Sequence, residues 1–77
     1  LMEFYDVQIG FEIGALKEAI IEPGTEGNGW IIQFRDVDDS LLPLTNGGHE
    51  RIFHDLDIAT RLAKDFGFKR VSVVEHF

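Results

Sequence analysis

Cysteine is absent from this 77-residue chain, proline occurs only twice, and no apolar run approaches the roughly 18 residues of a membrane-spanning helix. Without thiols there is no disulfide framework, no Cys-ligated zinc site and no cysteine nucleophile. No basic stretch followed by an apolar one reads as a signal peptide. A reducing cytoplasm is the expected compartment. Basic residues are also scarce: seven Lys and Arg stand against fourteen Asp and Glu, for a net charge of −7. Nucleic-acid binding draws on a concentrated basic patch, and here the one adjacent pair is Lys69-Arg70. The balance disfavours DNA, RNA and anionic membranes, and suits a neutral or basic protein partner or a second copy.

What is present is the composition of an ordinary folded domain, with 44% hydrophobic and 27% charged residues, so disorder and low complexity are disfavoured. Residues 1–77 read as one α+β domain, with Leu1 a remnant ahead of a natural start at Met2. Residues 4–13 alternate: Tyr5, Val7, Ile9, Phe11 and Ile13 are apolar, and Asp6, Gln8, Gly10 and Glu12 intervene. A period of two predicts a half-buried strand, and Gly10 and Gly14 weigh against a helix. Strands are predicted near 16–22 and 30–36, flanking the turn-rich PGTEGNG at 23–29.

After an acidic turn at 36–40, Pro43 within residues 41–45 marks an edge strand or a bulge, because proline cannot donate to a ladder. Asn46-Gly47-Gly48 predicts a hairpin turn, with a short returning strand over 50–53. The clearest element is a helix over 56–66. Asp55 is suited to N-cap it, Leu56, Ala59, Ala63 and Phe66 form its apolar stripe, and Gly67 suits a left-handed C-terminal position. A last strand follows through Val71 and Val73. The expected architecture is a mainly antiparallel sheet of four to six short strands with this one helix across one face.

Three stretches carry a resemblance: GWIIQFRD (29–36), LPLT (42–45) and GHERIFHDLDIATRLAKDFGF (48–68). They resemble small proteins carried on bacterial mobile elements, in plasmid backbones and integron gene cassettes. The shared pattern falls on Trp30, Asp36, Arg51, Phe53, Leu56, Asp57, Ala59 and Gly67, and residues 1–15 lie outside it. Each of these positions has a packing or capping explanation. The resemblance implies an accessory with a partner, such as a partition or maintenance component, rather than an enzyme with a substrate.

Few residues of the chain fall in patterns that carry chemistry. His49 and His54 sit five apart across a short strand, which places them on opposite faces instead of converging on a metal. Asp36, Asp38 and Asp39 lack the glycine and the terminal glutamate of a calcium loop. Gly24, Gly27 and Gly29 precede a strand, whereas a phosphate cradle opens a helix. Three His and two Ser assemble no nucleophile–base pair. No catalytic, cofactor-binding or metal residue is assigned.

The expectation is a non-enzymatic module that self-associates, as a homodimer, because a small domain without disulfides carries nine aromatic residues (seven Phe, one Trp, one Tyr). Its interface candidates are Tyr5, Val7, Ile9, Phe11, Ile13, Trp30 and Arg51. Trp30 serves either as a core cap or as an interface hot spot. Arg51 serves either in an ion pair with the helix N-terminus or as an interface anchor. Two other readings stay open. One is a nucleic-acid-associated maintenance accessory using Lys69, Arg70, Arg61 and Lys64. The other is a small-molecule binding domain with an aromatic-lined pocket.

Overall fold

A computed structural model describes residues 2–75; Leu1, read as a remnant, and Phe77, counted among the aromatic residues, lie outside them. The chain opens with helix α1 (Phe4–Glu12), then strands β1 (Leu16–Pro23) and β2 (Trp30–Asp36). Three short strands follow, β3 (Leu41–Pro43), β4 (Thr45–Asn46) and β5 (His49–Glu50), then helix α2 (Leu56–Asp65) and strand β6 (Val71–Val73). The main sheet has the order β3-β2-β1-β6, and β4 and β5 form a separate hairpin. The α+β class holds, with one change of element at the N-terminus.

That change is a correction. Residues 4–13 do not form a strand, because their alternation resolves into two helical stripes. Val7 and Phe11, four residues apart, turn toward the sheet, with Val7 fully buried, and Phe4, one turn earlier and 40% exposed, lays its ring against Phe66. Tyr5, Ile9 and Ile13 recur at four and turn outward. Apolar residues on both sides of a helix give the same string as apolar residues on one side of a strand. The two glycines that weighed against a helix serve this one. A Cβ on Gly10 would stand 3.0 Å from Leu16 Cδ1, so its absence lets α1 lie close on β1. Gly14, at φ +78°, takes the left-handed conformation that releases the chain from the helix.

Strands β1 and β2 run antiparallel from Pro23↔Trp30 to Leu16↔Asp36, with a bulge between Leu16 and Glu18. Pro43 lies on β3, an edge strand, opposite Gln33. The β4–β5 loop is Gly47-Gly48, both at positive φ (62° and 84°), with Asn46 paired to His49. This is the backbone of a type I′ turn, shifted by one residue from the predicted Asn-Gly centre. The predicted strand over 50–53 shortens to His49–Glu50, and Phe53 makes a separate bridge to Trp30. Strand β6 is parallel to β1, through Ala19↔Val71 to Ile21↔Val73, because α2 carries the chain across one face of the sheet.

Both helices cover the same face. Val7 of α1 and Ala59 and Ala63 of α2 are fully buried with Ala19, Ile21, Ile32 and Phe34 of the sheet. The small residues on α2 let it approach closely, and the space between the two helices is filled by rings. Phe34 stacks on Phe68 at 5.4 Å, Phe11 meets Phe68 edge-on at 4.8 Å, and Phe4 lies 4.9 Å from Phe66. The helix-free face is mixed across its two central strands: Arg35 pairs with Glu18 at 3.1 Å and Gln33 donates to Glu22, while Ile20 and the buried Ile31 lie on the same side.

Helix α2 is set as its sequence indicates. The Asp55 carboxylate accepts from the amides of Asp57 at 2.8 Å and Ile58 at 3.3 Å. At the other end the Gly67 amide donates to the Lys64 carbonyl at 2.9 Å, with Gly67 at φ +111°.

Candidate functional site

The outer stripe of α1 is the most exposed apolar feature among the described residues. Tyr5 is 74% exposed, Ile9 58% and Ile13 73%, on a helix whose inner stripe is in the core. Val37, also exposed, lies close by: its amide donates to the Ala15 carbonyl at 3.2 Å, just past the end of α1.

A groove of about 310 Å³ runs between α1 and the β3 edge of the sheet, walled by Met2, Ile9, Ile13, Leu16 and Leu42. Leu42 points into it because it is opposite Phe34, on the helix side of the sheet. Two carboxylates, Asp6 and Asp36, stand at its border. Asp6 accepts from the Glu3 amide at 3.0 Å through Oδ2, closing the first turn of α1. Asp36 accepts from the amides of Asp38 and Ser40, both at 2.9 Å, through Oδ1. The second oxygen of each carries no hydrogen bond among the described residues, leaving an acceptor beside an apolar hollow.

The start of α1 is fixed from below. The Glu3 carboxylate accepts from the Thr45 hydroxyl, from the Gly47 amide at 2.8 Å and from the Gly48 amide at 3.4 Å. These donors, the Thr45 hydroxyl foremost, hold the Glu3 carboxyl below the ordinary glutamate range. The Thr45 amide also donates to the Met2 carbonyl at 2.8 Å. Across the acidic turn, Lys17 pairs with Asp39 at 2.9 Å and holds that carboxyl low in the same way.

The interface candidates therefore separate. Tyr5, Ile9 and Ile13 share one exposed face. Val7 is fully buried in the core, and Phe11 packs half-buried against Phe68, so both turn away from that face. Trp30 is half-buried against the core, with its amide donating to the Phe53 carbonyl at 2.7 Å. Arg51 forms no ion pair with Asp55 or Asp57 among the described residues. Its guanidinium stands 4.7 Å from the centre of the Phe53 ring, which places it on the far side of α2 from the groove. Sequence reasoning missed the groove walls Met2 and Leu42 and the bordering Asp6 and Asp36. They converge only when residues 2–16 fold as helix and turn, and no local pattern announces that.

His49 and His54 are both exposed, and among the described residues no three side chains of ligating type converge on a metal position. No described helix is long and apolar enough to cross a membrane. No family model, curated protein or solved structure matches the chain.

Proposed function

We propose that this chain is a non-enzymatic interaction module, encoded on a bacterial mobile element, whose partner is a second copy of itself. The observation that carries the reading is the outer stripe of α1, where three large apolar side chains at one-turn spacing face water. A lone exposed leucine or isoleucine is unremarkable on a soluble domain. A continuous stripe beside an apolar groove is the form that interaction surfaces take. The net charge of −7 supports this choice of partner over nucleic acid, since the chain offers no concentrated basic surface for phosphates. The mobile-element setting rests on the resemblance of residues 29–68.

The test is Ile9→Glu, which places a charge at the centre of the stripe. Ile9 is mostly exposed and glutamate is a good helix former, so the fold should persist by circular dichroism. Self-association, read by sedimentation against concentration, should be lost. A variant that associates as the wild type does would remove α1 from the interface.

A further inference from the structure

The face on α1 carries both a projection and a hollow, and the two are related by the helix itself. Tyr5 and Ile13 lie four residues to either side of Ile9, about 6 Å along the axis in each direction at 1.5 Å per residue. A two-fold axis through Ile9 would set α1 antiparallel to its copy. It would bring Ile9 against Ile9 and each Tyr5 against the partner end that holds Ile13. Ile13 is a wall of the groove. An isologous interface requires one patch to be complementary to itself, and an exposed ring four residues before Ile9 with a groove wall four residues after it meet that requirement.

We infer that the chain forms a two-fold dimer in which the Tyr5 ring of each copy is seated in the other copy's groove between Ile9, Ile13 and Leu42. This rests on the self-association proposed above. The groove, at about 310 Å³, has room for a phenol ring. Its border at the Ile13 end supplies what the hydroxyl needs: Asp36, which pairs with Leu16, keeps in Oδ2 an acceptor without a hydrogen bond among the described residues, and a buried tyrosine hydroxyl needs one. Tyr5 is free to serve as the anchor. Among the described residues it is the most exposed of the large apolar side chains, and its one ring contact there is an edge-on approach to Phe4 at 5.7 Å.

Size and charge set the character of this dimer. A nine-residue helix and a short groove cover less than the roughly 800 Å² per partner of a standard interface, so association is weak and depends on its deepest anchor. Each copy carries −7, so the two repel, and added salt strengthens association by screening that repulsion. An interface held by ion pairs between copies would weaken with salt instead.

The experiment compares wild type, Tyr5→Ala, Tyr5→Phe and Ile9→Glu by sedimentation up to millimolar concentration, with circular dichroism as the fold control. Tyr5→Ala should weaken dimerisation about a thousandfold, since each dimer loses two hot-spot residues at about thirtyfold each. Tyr5→Phe keeps both rings and should weaken it only by about tenfold, the worth of the two hydrogen bonds lost per dimer at about threefold each. Tyr5 is the single tyrosine, so a mixed labelled and unlabelled sample should show intermolecular contacts from its ring protons to the Leu42 methyls. If Tyr5→Ala dimerises as wild type does while Ile9→Glu is monomeric, the face stands and the seated ring is overturned. If Tyr5→Phe loses as much as Tyr5→Ala, the ring is not what the groove holds. A wild type that stays at single-chain mass throughout overturns the dimer and the seated ring together.

Discussion

Replacing Gly67 with alanine tests the join between the two helices. Gly67 follows α2 at φ +111°, a backbone conformation that costs a residue bearing Cβ about 1–2 kcal/mol. The added methyl also has nowhere to go. Built on this backbone it would stand 2.6 Å from Cε2 and 2.7 Å from Cζ of Phe11, so the ring must move. Phe11 is edge-on to Phe68, and an aromatic pair of this kind contributes about 0.5–1.5 kcal/mol beyond its burial. The two effects together come to about 2–3 kcal/mol. A domain of this size loses about 1 kcal/mol of stability per molar urea, so the unfolding midpoint should fall by about 2–3 M. In a Phe11→Leu background the two nearest ring atoms are gone, and Gly67→Ala should then cost only its backbone share. A midpoint that falls by less than about 0.5 M in the wild-type background would refute both the helix terminus and the packing of α1 against it. Equal costs in the two backgrounds would refute the ring contact alone.

Three further outcomes are expected. Asp55→Ala removes the acceptor for the first-turn amides of α2 and should destabilise the protein by about 1 kcal/mol in urea titrations, while Asp55→Asn should retain most of it. Gly29→Ala would set a methyl 2.6 Å from the Phe53 carbonyl oxygen at φ +140°, breaking the Trp30–Phe53 bridge, and should cost at least about 2 kcal/mol by the same assay. Glu3 gives a pH dependence. Its folded carboxyl is held below its unfolded value, so its contribution is full above the unfolded value near 4.5 and disappears as pH falls through the lowered folded one. Wild type should therefore lose more stability between pH 6 and pH 3 than Glu3→Gln does, measured as thermal midpoints across that range.

The parts of this fold that can be read from the sequence are those where one local rule acts alone. Helix α2 has a capping aspartate, a single apolar stripe and a terminal glycine, and each is found in its predicted place. Strands β1 and β2 follow from β-prone runs on either side of a turn cluster, and Pro43 marks a sheet edge as proline should. The N-terminus is different because two demands share one segment. Val7 and Phe11 serve the core while Tyr5, Ile9 and Ile13 face outward, and together they imitate the alternation of a strand. Gly10 completes the misdirection: it reads as a helix breaker, but its role is the approach to Leu16. The parallel placement of β6 was likewise beyond local reading, since it follows from α2 crossing the sheet.

The candidate face divides along the same line. Tyr5, Ile9 and Ile13 were recognisable as too apolar for water, but Val7 and Phe11 were grouped with them because a strand would have put all five on one side. Arg51 was expected near Asp55 and Asp57 from sequence distance, and the turn at His54 instead leaves its guanidinium over Phe53. The groove is tertiary in origin, with walls drawn from Met2, α1, β1 and β3.

Whether a second copy covers the outer stripe of α1 is decided by sedimentation equilibrium of the wild type from low micromolar to millimolar concentration at moderate salt. The weight-average mass should rise from the 8.7 kDa of one chain toward twice that value, and should rise further at a given concentration when salt is added. A mass fixed at 8.7 kDa across that range, at every salt concentration, would contradict it.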